Sequence, residues 1–168
     1  LKKLNKTIEV WVELGVQTIH DQTLNRINRG HNWNSSLKAI SDLSANNIPI
    51  ALHAIIGLPG ENEEHFKKTA LAFSSLPIQA VKIHNLHIEK GTTLALENLI
   101  KPVSVFNEYQ YGEHLIDFIR RMPPELPIMR FTTDSLKEEL IAPIWNMDKQ
   151  QFKNYLINQM EFREFKQG

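Results

Sequence analysis

Residues 48–56, IPIALHAII, form an apolar run with the length and residue types of a buried strand. Gly57, Pro59 and Gly60 end it, and the acidic Glu61–Glu64 stretch opens a helix expected over residues 62–75. Upstream, Thr7 to Gln17 alternates. Val10, Val12, Leu14 and Val16 fall on one face, with Glu9, Trp11, Glu13, Gly15 and Gln17 on the other. That pattern predicts a strand packed on helices outside and facing something wet inside. Ile78 to Ile88 reads as a third strand and Pro127 to Thr132 as a fourth.

Between these runs the period changes to that of helices. Leu1 to Lys6 reads as a helix tail. Asp21 is placed to cap a short helix reaching Asn28, with Gly30 as its closing residue. Leu37, Ile40 and Leu43 mark a helix opening at Asn34 or Ser35, and Phe66, Ala70 and Phe73 mark the next. A loop or short helix is expected to about Ile100, and a longer helix over 105–122. A short helix or loop follows from Asp134 to Ile141, then an apolar anchor at Pro143-Ile144-Trp145 and a C-terminal helix from Lys149 to about Phe165. Strand, helix, strand, helix, strand predicts an α/β fold with a parallel sheet. Residues 1–100 are expected to hold three strands (7–17, 48–56 and 78–88). Residues 101–168 are expected to add a helical extension with a short strand at 127–132.

Composition narrows the function classes. Nineteen basic residues balance nineteen acidic ones, which gives no clear nucleic-acid signal and no attraction to an anionic membrane. No apolar run approaches the ~20 residues of a membrane span, and the first residues lack a signal-peptide core, so a cytoplasmic location is expected. The 168 residues contain no cysteine, which removes thiol nucleophiles and thiolate metal ligands from this chain.

The polar candidates gather on the strands: Glu13 and Gln17 on the first, His53 on the second, and His84, Asn85 and His87 on the third, with Arg29 after the first. Strand carboxyl ends are where α/β folds build sites. Each also has an ordinary reading, as a hydrogen-bonded structural histidine or a surface salt bridge. His84 and His87, three apart on a strand, point to opposite faces, so no metal site is expected from that pair.

VELGVQT, the Arg26-x-x-Arg29-Gly30-His31 that follows, and HAIIGLPGE together resemble the second half of a radical S-adenosylmethionine (SAM) domain. VKIHNLHIEKGTTLA and RFTTD…LIAPIW are similar to the tail of the YhcC-like group of iron–sulfur oxidoreductases, relatives of the elongator-type radical SAM proteins. The resemblance implies the C-terminal part of a partial TIM barrel, (β/α)6, with parallel strands inside and helices outside. It also implies SAM held against a [4Fe–4S] cluster in the full-length protein. Glu13 and Gln17 match the fourth-strand motif that lines ribose and methionine, and Arg29 an arginine that pairs with the SAM carboxylate. His53, Ile55 and Gly57 match a fifth-strand G-x-I-x-G pattern, with Ile55 near adenine and His53 in place of the first glycine. Leu86, His87 and Ile88 would offer sixth-strand backbone to the adenine edge.

The family's cluster cysteines precede the matching region. The resemblance therefore implies a fragment, without strands one to three, that assembles no cluster and is inactive. Its first strand would present an open edge, for which self-association is expected. Two other readings stay open: a metal-dependent hydrolase or aldolase using Glu13, His53 and His84, and a non-catalytic binding module.

Overall fold

Four parallel strands carry the structure, a computed structural model that describes residues 1, 3–133 and 135–168. Strand β1 (Val12–Gln17) pairs with β2 (Ile50–Ile56), β2 with β3 (Ala80–Asn85), and β3 with β5 (Ile128–Arg130). Helix α1 (Asp21–Arg26) and α2 (Trp33–Ser44) link β1 to β2. Helix α3 (Glu63–Ser74) links β2 to β3, and α5 (Glu108–Ile119) precedes β5. Between β3 and α5 lie β4 (Ile88–Glu89) and α4 (Thr93–Ile100). Strand β6 (Leu140–Ala142) and α6 (Lys149–Phe162) end the chain. Among the described residues, no helix is long and apolar enough to cross a membrane.

The sheet is one-sided. Val16, Ile50, Leu52, Ala54, Ile56, Val81 and Ile83 alternate onto one face and join Phe66, Ala70 and Phe73 of α3 and Tyr111, Leu115 and Phe118 of α5 in a single core. Glu13, His53, Ile55, Lys82 and His84 take the other face and belong to no part of that core. Phe73 and Phe118 meet edge to face, 6.3 Å between centroids. The tail adds to the same core. The Tyr111 hydroxyl donates to the Phe131 carbonyl (2.7 Å), and Trp145 stacks on Phe152 while its indole N–H donates to Phe106 O. Trp145 and Pro143 anchor as expected, whereas Ile144 faces solvent. The sheet runs through both parts of the chain, since β5 from residues beyond 100 hydrogen-bonds β3.

Several boundaries differ from the sequence reading for local reasons. The first strand begins at Val12 rather than Thr7, because ladder pairing starts only where its neighbour β2 does; Val12 N donates to Pro49 O. Residues Leu4–Lys6 form a 3-10 turn. His20, not Asp21, is the N-cap of α1; Asp21 instead accepts from Trp33 N at 2.7 Å. Asn28, with φ 54°, closes that helix in place of Gly30, and Asn32 rather than Asn34 caps α2 by accepting from Ser35 N. The third strand stops at Asn85. Gly57, at φ 97°, turns β2 away, so the last contact is Leu86 N to Ile56 O, and Ile88–Glu89 pair antiparallel with β6 instead. Asp134 lies outside the described residues. The stretch after it, read as helix or loop, holds turns and then β6.

Phe73 is fully buried and shares its ring contact with Phe118. Phe73→Ala is expected to cost about 3–5 kcal/mol in urea unfolding, as large-to-small core changes do; a loss under about 1 kcal/mol would place the ring outside the core.

Candidate functional site

Two tiers of polar groups line the face that the core leaves open. The upper tier sits at the carboxyl end of β1. Register with β2 slips between Leu14 and Gln17, and Gln17 takes the left-handed region at φ 69°, uncommon for a residue with a side chain. Arg29 follows the left-handed Asn28, and its Nη2 donates to Gly15 O at 2.5 Å. A Cβ on Gly15 would lie 2.5 Å from Arg29 Nη2 and 2.9 Å from Gln17 Nε2, so the guanidinium lies where only glycine leaves room. Arg29 Nε is buried and has no hydrogen-bond partner. An unpaired donor on a buried guanidinium is costly, and a carboxylate is the group that relieves it.

The lower tier is a charged cluster one layer down. Glu13 Oε2 accepts from His53 Nε2 at 2.9 Å, and Glu13 Oε1 from Lys82 Nζ at 2.5 Å. The Lys82 hydrogen bond, then the His53 one, holds the Glu13 carboxyl below its ordinary range. The rings of His53 and His84 lie 5.3 Å apart at a tilt of 30°. His84 Nε2 is buried without a partner, and its Nδ1 lies 3.4 Å from Thr133 Oγ1. Burial first, then the charges of His53, Arg130, Lys82 and His87, push His84 down to about 4, so its ring is neutral at neutral pH. Arg130 is the ladder partner of Lys82 and stands on the same face.

The turn after β2 forms the third wall. A Cβ on Gly57 would meet the Phe106 ring at 3.1 Å and Leu86 Cβ at 3.7 Å. A groove of about 580 Å³ runs along Gly57, Leu58, Pro59 and Phe106, with the Arg26–Glu97 ion pair also on its lining. Glu61 does not serve the helix N-terminus, which Asn62 caps. It turns in and accepts from Thr18 Oγ1 at 2.6 Å, tying the β1 and β2 turns together, and its burial raises its pKa.

Of the residues proposed from sequence, Glu13, Gln17, Arg29, His53, Ile55 and Gly57 lie along the β1 and β2 strands and their carboxyl-end turns, with Leu86 against Gly57. His87 and Ile88 part from them. His87 Nδ1 hydrogen-bonds Ser135 Oγ at 2.5 Å, and Ile88, fully buried, pairs with Ala142 in β4–β6. The backbone N–H of Leu86 is engaged by Ile56 O. Lys82 and Glu61 were missed. The alternation of Lys82 with His84 signals the first; nothing local distinguishes the second from an ordinary helix-start acid.

Residues 78–161 match the family described as the Radical_SAM C-terminal domain, and residues 1–73 match the Radical SAM superfamily. The chain belongs to the radical SAM superfamily. It is 33% identical over 168 residues to the uncharacterized protein YtqA of Bacillus subtilis, covering all of this chain and 52% of the relative. It is 33% identical over 137 residues to protein YhcC of Escherichia coli, covering 82% of this chain and 44% of that protein. The chain thus spans about half the length of the curated relatives it matches. Its fold is shared by the archaeal Elp3 of Methanocaldococcus infernus, solved with an N-terminal deletion, at a TM-score of 0.84 and 21% identity over 99% of this chain and 39% of that one.

Members of the radical SAM superfamily use SAM and an iron–sulfur cluster. The donor set here fits SAM: an unsatisfied guanidinium over a glycine, a carboxylate and an amide on β1, and an apolar Ile55 beside a glycine turn. It does not fit the cluster. The chain has no cysteine, and among the described residues no group of three or more His, Asp or Glu could hold a metal ion, Glu13, His53 and His84 included.

The low pKa of His84 gives a stability prediction. A base whose folded pKa lies below its ordinary 6.5 contributes its full stability above pH 6.5 and loses it as pH falls toward about 4. Burial depresses His87 and His114 in the same direction. Melting temperature is expected to fall across that window, less steeply in His84→Gln than in wild type. Identical slopes would show that His84 titrates normally.

Proposed function

We propose that this chain is the SAM-binding portion of a cytoplasmic radical SAM oxidoreductase, whose cluster cysteines lie elsewhere in the whole protein. The observation that carries this is Arg29, held over Gly15 with a buried Nε that no group among the described residues satisfies. In this reading Arg29 pairs with the SAM carboxylate, and Gln17 and Glu13 face the ribose side. Ile55 packs near the adenine, with the Gly57 turn at its edge. When bound, SAM would supply the radical chemistry of the superfamily, with Arg29, Gln17, Glu13 and Ile55 holding it. The residues of this chain bind and orient; without cysteine they supply no electrons, so the chain alone is expected to be inactive.

Calorimetric titration of SAM tests the reading. Removing a hydrogen-bonded charge partner costs about 1.5–3 kcal/mol, so Arg29→Ala is expected to weaken SAM binding at least roughly tenfold. Equal binding by wild type and variant would remove Arg29 from the site.

The open edge of the sheet supports a second proposal. Strand β1 is terminal in the sheet order, with one side of its backbone unpaired by any other strand. Exposed Ile8 and Trp11 lead into it. Such an edge pairs with other chains, so light scattering of a concentration series is expected to show mass rising above the monomer. A constant monomer mass would refute it.

A further inference from the structure

His53 occupies the place where the family's fifth-strand pattern has its first glycine, so this chain puts an imidazole where the pattern leaves open space. The imidazole is held in a defined way. Ionised Glu13 offers only acceptors, and its Oε2 lies 2.9 Å from His53 Nε2. Nε2 is therefore the donor, and in the neutral ring the lone pair is left on Nδ1. Among the described residues no group hydrogen-bonds that nitrogen, and it is not among the buried unsatisfied atoms; the side chain keeps 23% of its surface exposed. Lys82 fixes the other carboxylate oxygen, so Glu13 cannot swing away without breaking a second bond. The neutral His84 ring flanks His53 on β3, and among the described residues Lys82 and Arg130 are also turned to this face, with His87 close enough to act on His84.

A histidine oriented by a carboxylate, with its second nitrogen open on the polar face of the sheet, is the arrangement of general acid–base catalysis. We propose that His53 is a catalytic acid–base residue, with Glu13 as its positioning residue and Lys82 bracing Glu13. The substrate is a polar molecule with a hydroxyl or protonated amine on the open face. This rests on the reading of that face as the chamber shared with SAM. The Nδ1 lone pair takes the O–H or N–H proton, and the electron pair of the broken bond stays on the substrate heteroatom. The imidazolium so formed is neutralised by Glu13, and the proton returns to substrate or solvent to close the cycle.

A structural salt bridge would need none of this reactivity, so the test reads the lone pair itself. Diethyl pyrocarbonate acylates unprotonated imidazole, and peptide mass mapping assigns the label in the 168-residue chain at pH 7. His53 is expected to label faster than His84, whose Nε2 is buried and whose Nδ1 lies against Thr133. Glu13→Gln is expected to slow labelling of His53 several-fold while that of His31 stays unchanged, with circular dichroism confirming the fold. Labelling of His53 no faster than His84, or unaffected by Glu13→Gln, would overturn the proposal. The calorimetric SAM titration separates the two readings. If SAM binds and labelling ignores Glu13, the acid–base role falls alone. If labelling follows Glu13 and SAM does not bind, the dyad stands and the cofactor assignment falls.

Discussion

The structure depends on an asymmetry in its sheet. Parallel sheets are ordinarily covered on both faces; here the main hydrophobic cluster, built with α3 and α5, lies on one. Along β1, β2 and β3 the period of two sends Val16, Leu52, Ala54, Val81 and Ile83 under the helices. The same period leaves Glu13, His53, Lys82 and His84 on the open side. A one-residue slip in any strand would exchange the two sets. Burial on one face thereby fixes which polar groups can meet on the other, and the hydrophobic core positions a site none of its residues touches.

On the open face the two tiers solve different electrostatic problems. In the lower one the charges are paired: one carboxylate is shared by an ammonium and an imidazole, beside a histidine kept neutral by burial, whose Nε2 has no partner. The upper one is left short, with a guanidinium bound to a carbonyl through one nitrogen and unpaired at another. Unsatisfied buried donors are rare in native structures. Asn85 Nδ2 and His84 Nε2 on β3 also lack partners, but the Arg29 donor, next to the left-handed Gln17, belongs to a cation, for which a ligand carboxylate offers the strongest new bond.

Much of this was legible in the sequence. The run at 48–56 with its glycine turn marked β2 and the start of α3, and the alternation from Val10 to Gln17 gave both faces of β1. The fold class followed from those two patterns, and so did the placing of Glu13 and His53 on one side. The rest depended on partners that sequence spacing does not show. Leu86 to Ile88 looks like strand because it is apolar and branched, but a strand lasts only as long as its neighbour, and Gly57 takes the neighbour away. β6 was invisible because its three residues become strand only by pairing with β4. Glu61 resembles a helix-start acid and is a cross-link to Thr18, a role set by a residue 43 positions away. Lys82 was overlooked between two buried neighbours, although its position on β3 put it beside the histidines.

Membership of the radical SAM superfamily gives the open face its meaning, and the chain, which spans about half the length of the curated relatives it matches, contains no cysteine. The central claim is that the upper tier is incomplete without the carboxylate of SAM. Nitrogen-15 NMR of the arginine side chains tests it most directly. Adding SAM is expected to move the Arg29 Nε–H resonance downfield and slow its exchange with water, as a new charge-assisted hydrogen bond requires. SAM bound with that resonance unmoved would contradict the account.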